Sequence, residues 1–161
     1  MVSQTGASTI KLLEENWEDI RDECLKVSGY IDYPEFQIYK GKWDVFGIID
    51  LQGNFMPENA AKCPKTTAIV QQIPGVNTAG FSKLTPGCIV KPHKGFTDDV
   101  LRCHLGLVIP EGDCGLKVEE TVYRWEEGKA FIFDDRALHE AWNRTDFPRY
   151  VLIIDLLKKC L

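Results

Sequence analysis

The sequence contains no apolar run near the ~20 residues that a helix needs to cross a bilayer, and its polar start, Met1 to Thr9, lacks the apolar core of a secretory signal. It has no excess of basic residues: 19 Lys and Arg against 24 Asp and Glu give a formal net charge of −5. An acidic protein repels nucleic acid and anionic membranes, so neither is expected as a partner. Low-complexity tracts, internal repeats and linkers are missing from its 161 residues, which points to a single domain, residues 1–161, large enough for a real core. Cys-x-x-Cys pairs are missing too. The six cysteines (Cys24, Cys63, Cys88, Cys103, Cys114, Cys160) are scattered, and none stands at zinc-finger spacing from a histidine. They are expected as buried, reduced side chains of a cytoplasmic protein rather than as a disulfide framework.

Hydrophobic residues make up 44% and charged residues 27%, ordinary values that argue against disorder. One helix is well marked, at about 8–28: Ile10, Leu13, Trp17, Ile20, Cys24 and Val27 recur at three- and four-residue steps. Ser8 is placed to cap it and Ser28-Gly29 to end it. Glu14, Glu15, Glu18, Asp22 and Glu23 form the opposite face, expected in water. A second short helix is expected within Asn59–Thr67. The remainder reads as short strands between turn signals: Asp44–Leu51, Thr66–Ile73, Thr78–Leu84, Leu101–Ile109, Gly115–Val118, Val122–Trp125, Lys129–Asp134, Glu140–Arg144 and Arg149–Leu157. Many short strands after a lone helix predict a mainly β sandwich or barrel with the helix packed on one sheet.

Histidine is scarce. The sequence has three, His93, His104 and His139, all in its C-terminal half. Imidazole is the commonest ligand for first-row metals near neutral pH, and a rolled sheet brings distant strands together. Strand alternation puts Arg102 and His104 on one face, with Leu101, Cys103, Leu105, Leu107 and Ile109 on the other. Arg149 shares a face with Val151, Ile153 and Asp155. Two arginines entering a barrel need anionic partners, because an unpaired buried charge is costly. Those partners are either Asp134, Asp135 or Asp155 of the protein itself, or a bound carboxylate or phosphate. Trp43, Trp125 and Trp142 are expected in the core.

The ordered motifs Phe81-Ser82, Pro86-Gly87, Pro92-His93-Lys94-Gly95, the run Leu101 to Pro110, Trp125 to Lys129, Ile132 to Asp135, His139-Glu140-Ala141-Trp142 and Arg149 resemble the aspartyl/asparaginyl β-hydroxylases. The resemblance implies a double-stranded β-helix, the jelly roll shared with cupins, and a 2-oxoglutarate-dependent dioxygenase that uses Fe(II) and O2. His93 and His139 match the metal ligands. Arg149 matches the arginine that anchors the far carboxylate of 2-oxoglutarate. Ser82, Arg102 and His104 match residues that help hold the same cosubstrate. Most such enzymes carry an acid two residues after the first histidine, completing a two-histidine, one-carboxylate triad. Here that position is Gly95, as in the β-hydroxylases, so water is expected in the vacant place, with Asp98 and Asp99 on a loop. Glu140 and Asp134 or Asp135 are candidates for orienting the imidazoles.

Two positions depart from the family pattern. Val100 and Gly80 stand where basic residues receive an acidic substrate side chain, with Lys83 or Lys91 as substitutes. The expected substrate is therefore a small molecule, such as a free or carrier-bound amino acid, or a peptide. Two other functions fit parts of the pattern. A cupin-like metalloenzyme without 2-oxoglutarate would have no use for Arg149 at its matched place. A non-catalytic binding module would be expected to have lost one of His93, His139 or Arg149.

Overall fold

The computed structural model describes residues 3–161. In sequence order the elements are α1 (Gln4–Glu15), α2 (Trp17–Lys26), β1 (Ile31–Asp32), β2 (Tyr39–Lys40), β3 (Trp43–Ile49), α3 (Pro57–Lys62), α4 (Pro64–Gln71), β4 (Val76–Leu84), β5 (Ile89–His93), β6 (Val100–Val108), β7 (Cys114–Val118), β8 (Thr121–Tyr123), β9 (Ala130–Phe133), β10 (His139–Asn143) and β11 (Arg149–Leu157). The strands form two antiparallel sheets. The major sheet runs β1-β3-β4-β11-β6-β9 and the minor sheet β2-β5-β10-β7-β8. This is the expected jelly roll, with helices on the outer face of the major sheet.

Two cores follow from the alternation of side chains along the strands. Phe46, Ile48, Phe81, Cys103, Leu105, Leu152 and Ile154 point outward and pack against Leu13, Ile20, Cys24 and Ile69 of the helices. Trp43, Leu84, Phe133 and Val151 point inward and meet Val90, Leu116 and Ala141 of the minor sheet. The polar residues of β4, β6 and β11 that share the inward face therefore end up between the sheets. All six cysteines are free, and five are buried. Burial pushes the Cys24 thiol up to about 12, so it behaves as a small hydrophobe.

The helical part differs from the periodicity. The expected single helix starts earlier, with Ser3 accepting from the Gly6 N–H at 3.0 Å, and breaks at Asn16, whose side chain donates to the Leu12 carbonyl at 2.8 Å. The break lets Trp17 press on Gly128, where a Cβ would lie 2.9 Å from the indole nitrogen and φ is +79°. Thr66–Ile73, read as a strand from its β-branched residues, is mostly helix α4. Pro64 opens it at the first turn, and the Glu23 carboxylate of α2 accepts from the Lys65 N–H, the Thr66 N–H and the Thr66 hydroxyl at 3.1, 2.7 and 2.7 Å. Glu14 likewise leaves the expected wet face to accept from the Ala130 N–H at 2.9 Å, pinning α1 to β9. No described helix is long and apolar enough to cross a membrane.

Candidate active site

β5 and β10 pair so that His93 and His139 are direct register partners. Their rings lie 4.3 Å apart between centroids. The Nδ1 of His93 is 2.7 Å from the Lys91 carbonyl oxygen, and that of His139 is 2.8 Å from the Ala137 carbonyl oxygen. A carbonyl only accepts, so each Nδ1 carries the proton and each Nε2 keeps a lone pair. Burial holds the His139 pKa below its usual value, with the Ala137 contact acting the other way, so this imidazole is neutral at neutral pH. Two imidazoles on adjacent strands, each with Nδ1 turned to a backbone carbonyl, could hold a divalent first-row metal through Nε2.

The nearest carboxylate is Asp135, with Oδ1 3.3 Å from His139 Nε2. It occupies the space that a side chain at position 95 would need: a Cβ on Gly95 would overlap the carboxylate, with Cγ at 2.7 Å. Gly95 thus serves here as space. No group of three or more His, Cys, Asp or Glu side chains among the described residues is arranged to hold a metal, so the protein offers two imidazoles rather than a complete triad.

Asp135 is tied to the major sheet through Arg102. The guanidinium pairs in charge through NH1 with Asp135 Oδ1 at 2.9 Å, without a well-directed hydrogen bond, and donates from Nε and NH2 to the two oxygens of Asp155 at 2.7 and 3.0 Å. Asp155 also accepts from Thr78 Oγ1 at 3.0 Å. The register explains the cluster, because Asp155 is opposite Thr78 on β4 and opposite Arg102 on β6. Burial works against the Arg102 charge, but the Asp155 and Asp135 carboxylates outweigh it and raise its pKa. Of the two fates weighed for Arg102, the internal ion pair is the one observed. All three guanidinium nitrogens face carboxylates of the protein, so its expected cosubstrate contact would have to share them.

Arg149 has the opposite fate. It is 3% exposed and has no carboxylate partner among the described residues. Its NH2 donates to Ser82 Oγ at 2.8 Å and to the Ser82 carbonyl at 3.3 Å, its guanidinium lies 4.5 Å from the Trp125 ring centroid, and its Nε has no partner. Burial pulls its pKa down to about 10, which still leaves it cationic at neutral pH. Beside it, His104 Nδ1 accepts from Trp125 Nε1 at 3.0 Å, so the proton is on Nε2, which is buried and unpaired. Burial, then Arg149 and Arg102, hold the His104 pKa well below its usual value. Trp43 Nε1 donates to Ser82 Oγ at 2.8 Å. Ser82, His104 and Arg149 line one small space with His93 and His139, of about 30 Å3. Its unpaired donors are suited to an anion with several acceptor oxygens.

Five of the six residues singled out from the sequence, all but Arg102, thus meet with free chemistry at one place. Glu140 does not join them, since strand alternation puts it on the face opposite His139; backbone carbonyls orient the imidazoles instead. Asp134 is exposed and accepts from the Arg136 N–H at 2.9 Å, while Asp98, on the expected loop, pairs with Arg136. Lys83 lies over the Tyr150 ring and Lys91 is exposed. Sequence reasoning missed the polar work of the tryptophans: Trp43 and Trp125 are buried as expected, but their indole N–H groups fix Ser82 and His104. Nothing in the spacing signals that. Asp135, one of two adjacent acids, is picked out only by its packing against Gly95.

Comparison with known proteins agrees with this geometry. The family model described as aspartyl/asparaginyl beta-hydroxylase matches residues 14–159. An ornithine lipid ester-linked acyl 2-hydroxylase of Rhizobium tropici is 44% identical over 119 residues, covering 73% of this chain and 42% of that protein. The aspartyl/asparaginyl beta-hydroxylase of Homo sapiens is 38% identical over 167 residues, covering 95% of this chain and 22% of that protein. The protein therefore spans less than half the length of these curated relatives. Among solved structures, one described as a predicted oxalate decarboxylase from Thermotoga maritima superposes with a TM-score of 0.55 at 14% identity, over 83% of this chain and 96% of that one, a likeness of fold alone. With the motifs on facing strands of a jelly roll and the family model matching nearly its whole length, the chain belongs to the aspartyl/asparaginyl β-hydroxylase family of hydroxylases.

Proposed function

We propose that the protein is the catalytic unit of an Fe(II)- and 2-oxoglutarate-dependent dioxygenase that hydroxylates an unactivated C–H bond of an amino acid, a peptide or a related small molecule. The observation that carries this reading is one space lined both by two imidazoles, each with Nδ1 turned to a backbone carbonyl, and by a buried arginine without a carboxylate partner among the described residues. The residues fit both groups. His93 and His139 offer imidazole nitrogens of the kind Fe(II) takes. The Arg149 cation, with the free Nε2–H of His104 and the Ser82 hydroxyl beside it, complements the far carboxylate of 2-oxoglutarate.

When bound, Fe(II) supplies the redox chemistry by which R–H, 2-oxoglutarate and O2 become R–OH, succinate and CO2. The protein does the rest. The Lys91 and Ala137 carbonyls hold the two rings in the ligating tautomer. Trp125 holds His104 so that its proton faces the cosubstrate. Asp135 Oδ1, paired in charge with Arg102, stands 3.3 Å from His139 Nε2, and Gly95 leaves the room that this carboxylate fills. The two sheets keep bulk water away from Arg149, so its attraction for a carboxylate is only weakly screened.

The test is succinate release from anaerobically prepared protein given Fe(II), ascorbate and 2-oxoglutarate, then O2. Release that His93→Ala and Arg149→Ala both abolish is the expected result. Absence of 2-oxoglutarate binding to the Mn(II)-loaded protein by calorimetry would overturn the assignment and put a cupin-like metalloenzyme without 2-oxoglutarate ahead.

A further inference from the structure

A cavity of about 260 Å3 lies on the inward face of the major sheet and adjoins the histidine site, sharing Trp43, Ser82, Arg102 and Ile153 with it. Gly47, Gly80 and Ile153 lie side by side in its lining. Gly47 on β3 and Gly80 on β4 are register partners, and Ile153 of β11 stands next to Gly80. Both glycines are places of close approach: a Cβ on Gly47 would meet Met56 Sδ at 2.8 Å, and one on Gly80 the Phe46 carbonyl oxygen at 2.7 Å, so neither position has room for a side chain. The walls are mostly apolar, with Val45, Ile49, Met56 and Ile153 beside the aromatic rings of Tyr33 and Trp43. The far end opens to solvent at Ile31, 63% exposed, and Leu51, 48% exposed.

The charges along this space are wrong for an acidic side chain. The sole cation among the lining residues is Arg102, which already faces the carboxylates of Asp155 and Asp135. The other charged lining residue is Asp50, at the open end, whose carboxylate accepts from the Gln52 and Asn54 N–H groups at 2.9 Å each. An aspartyl side chain would pass an acid to reach apolar walls and an arginine with no free face. A hydrocarbon tail meets neither obstacle and gains from leaving water.

We propose that this cavity takes the hydrocarbon tail of an amphipathic acyl compound, laid over Gly47 and Gly80 with one of its C–H bonds presented to the histidine site. The inference rests on the hydroxylase reading above and names its substrate class: an acylated small molecule rather than an aspartyl or asparaginyl side chain. In the balanced reaction one C–H bond of the acyl tail becomes C–OH with one oxygen atom of O2, the other enters succinate, and the electrons come from 2-oxoglutarate.

The test is calorimetric titration with N-acetyl-, N-octanoyl- and N-dodecanoylglycine, on the protein as purified and on protein loaded with Mn(II) and 2-oxoglutarate. Affinity should rise by up to about fourfold per added methylene until the cavity is filled. Met56→Trp, which fills the space, and Leu51→Asp, an exposed change at the rim that leaves the core intact, should each weaken dodecanoylglycine binding at least ~10-fold. Both should leave 2-oxoglutarate binding unchanged. An affinity that does not depend on tail length, Leu51→Asp protein that binds the dodecanoyl probe as the wild type does, or tighter binding of N-acetylaspartate would overturn the proposal. Failure of the wild-type protein to bind 2-oxoglutarate would overturn the cosubstrate reading instead, and the tail-length series on the purified protein would still decide the cavity.

Discussion

In Gly95→Ala the added methyl group has no room. It would overlap the Asp135 carboxylate and lie 2.7 Å from Asp135 Cγ and 3.0 Å from the Asp135 carbonyl oxygen. Neither side can give easily. The backbones are joined by the Gly95 N–H donating to the Asp135 carbonyl at 2.7 Å, and Arg136 NH1 donates to the Gly95 carbonyl at 2.7 Å. The carboxylate is buried and paired with Arg102 at 2.9 Å. Gly95 is not among the residues with positive φ, so space is lost rather than backbone freedom. Removing one partner of a buried ion pair costs about 3–5 kcal/mol. Arg102 keeps both bonds to Asp155, so about 2–3 kcal/mol is the expected loss here. At roughly 2–4 °C per kcal/mol for a protein of this size, Tm should fall by roughly 4–12 °C. Thermal unfolding of the metal-free protein measures this, and a Mn(II) titration follows the histidine site. Gly95→Ala combined with Asp135→Ala should be less damaged than the sum of the two single changes, because the overlap is gone. Gly95→Asp, which would complete a conventional triad, should weaken metal binding rather than tighten it. An unchanged Tm in Gly95→Ala, together with unchanged Mn(II) affinity, would refute the reasoning, since it would mean that Asp135 swings aside freely.

Arg149→Met removes a buried cation that has no carboxylate, so the metal-free protein should melt no lower than wild type, while 2-oxoglutarate binding by calorimetry weakens ~10- to 100-fold or more, the worth of a charge-assisted hydrogen bond; a lower Tm with binding intact would contradict both expectations. His104 is neutral in the fold and its pKa is depressed, so the unfolded protein takes up a proton near its usual 6.5 and the folded protein does not. Stability is therefore fully present above that pH and should fall below it by up to about 1.4 kcal/mol per pH unit, read as the urea midpoint against pH; His104→Gln should flatten this slope. Glu23→Ala removes the carboxylate that caps α4 and should cost about 1–2 kcal/mol in denaturant unfolding, with little effect on 2-oxoglutarate binding.

The strands were legible where alternation and turns agreed. Arg149–Leu157 has the same bounds in the fold as in the pattern, and Leu101–Ile109 differs by one residue at each end. Alternation along these strands also placed Arg102 and His104 on the inward face. It could not say which arginine would find a carboxylate within the protein, because that depends on the register of β11 against β6. The sequence pattern failed where a distant residue decides the local structure. Thr66–Ile73 has the β-branched content of a strand, but Glu23, from another helix, caps it as a helix. β5 escaped notice because Pro92 interrupts it, and a proline is tolerated there only where no ladder bond from its nitrogen is needed. The cavity was invisible for a simpler reason: its lining residues on β3, β4 and β11 come together only once those strands are paired.

The buried Arg149 has a consequence for how long the protein lasts. While its site is empty, the fold carries a desolvated charge that nothing neutralises. A dicarboxylate that pairs with it stabilises the folded form alone; at 100 times its Kd that amounts to about 2.7 kcal/mol, a hundredfold drop in the unfolded population. Proteolysis in the cell draws on that unfolded population. Under the cosubstrate reading proposed above, the amount of this protein would rise and fall with the concentration of a dicarboxylate, coupling a metabolite level to protein turnover through one guanidinium that has no carboxylate partner among the described residues.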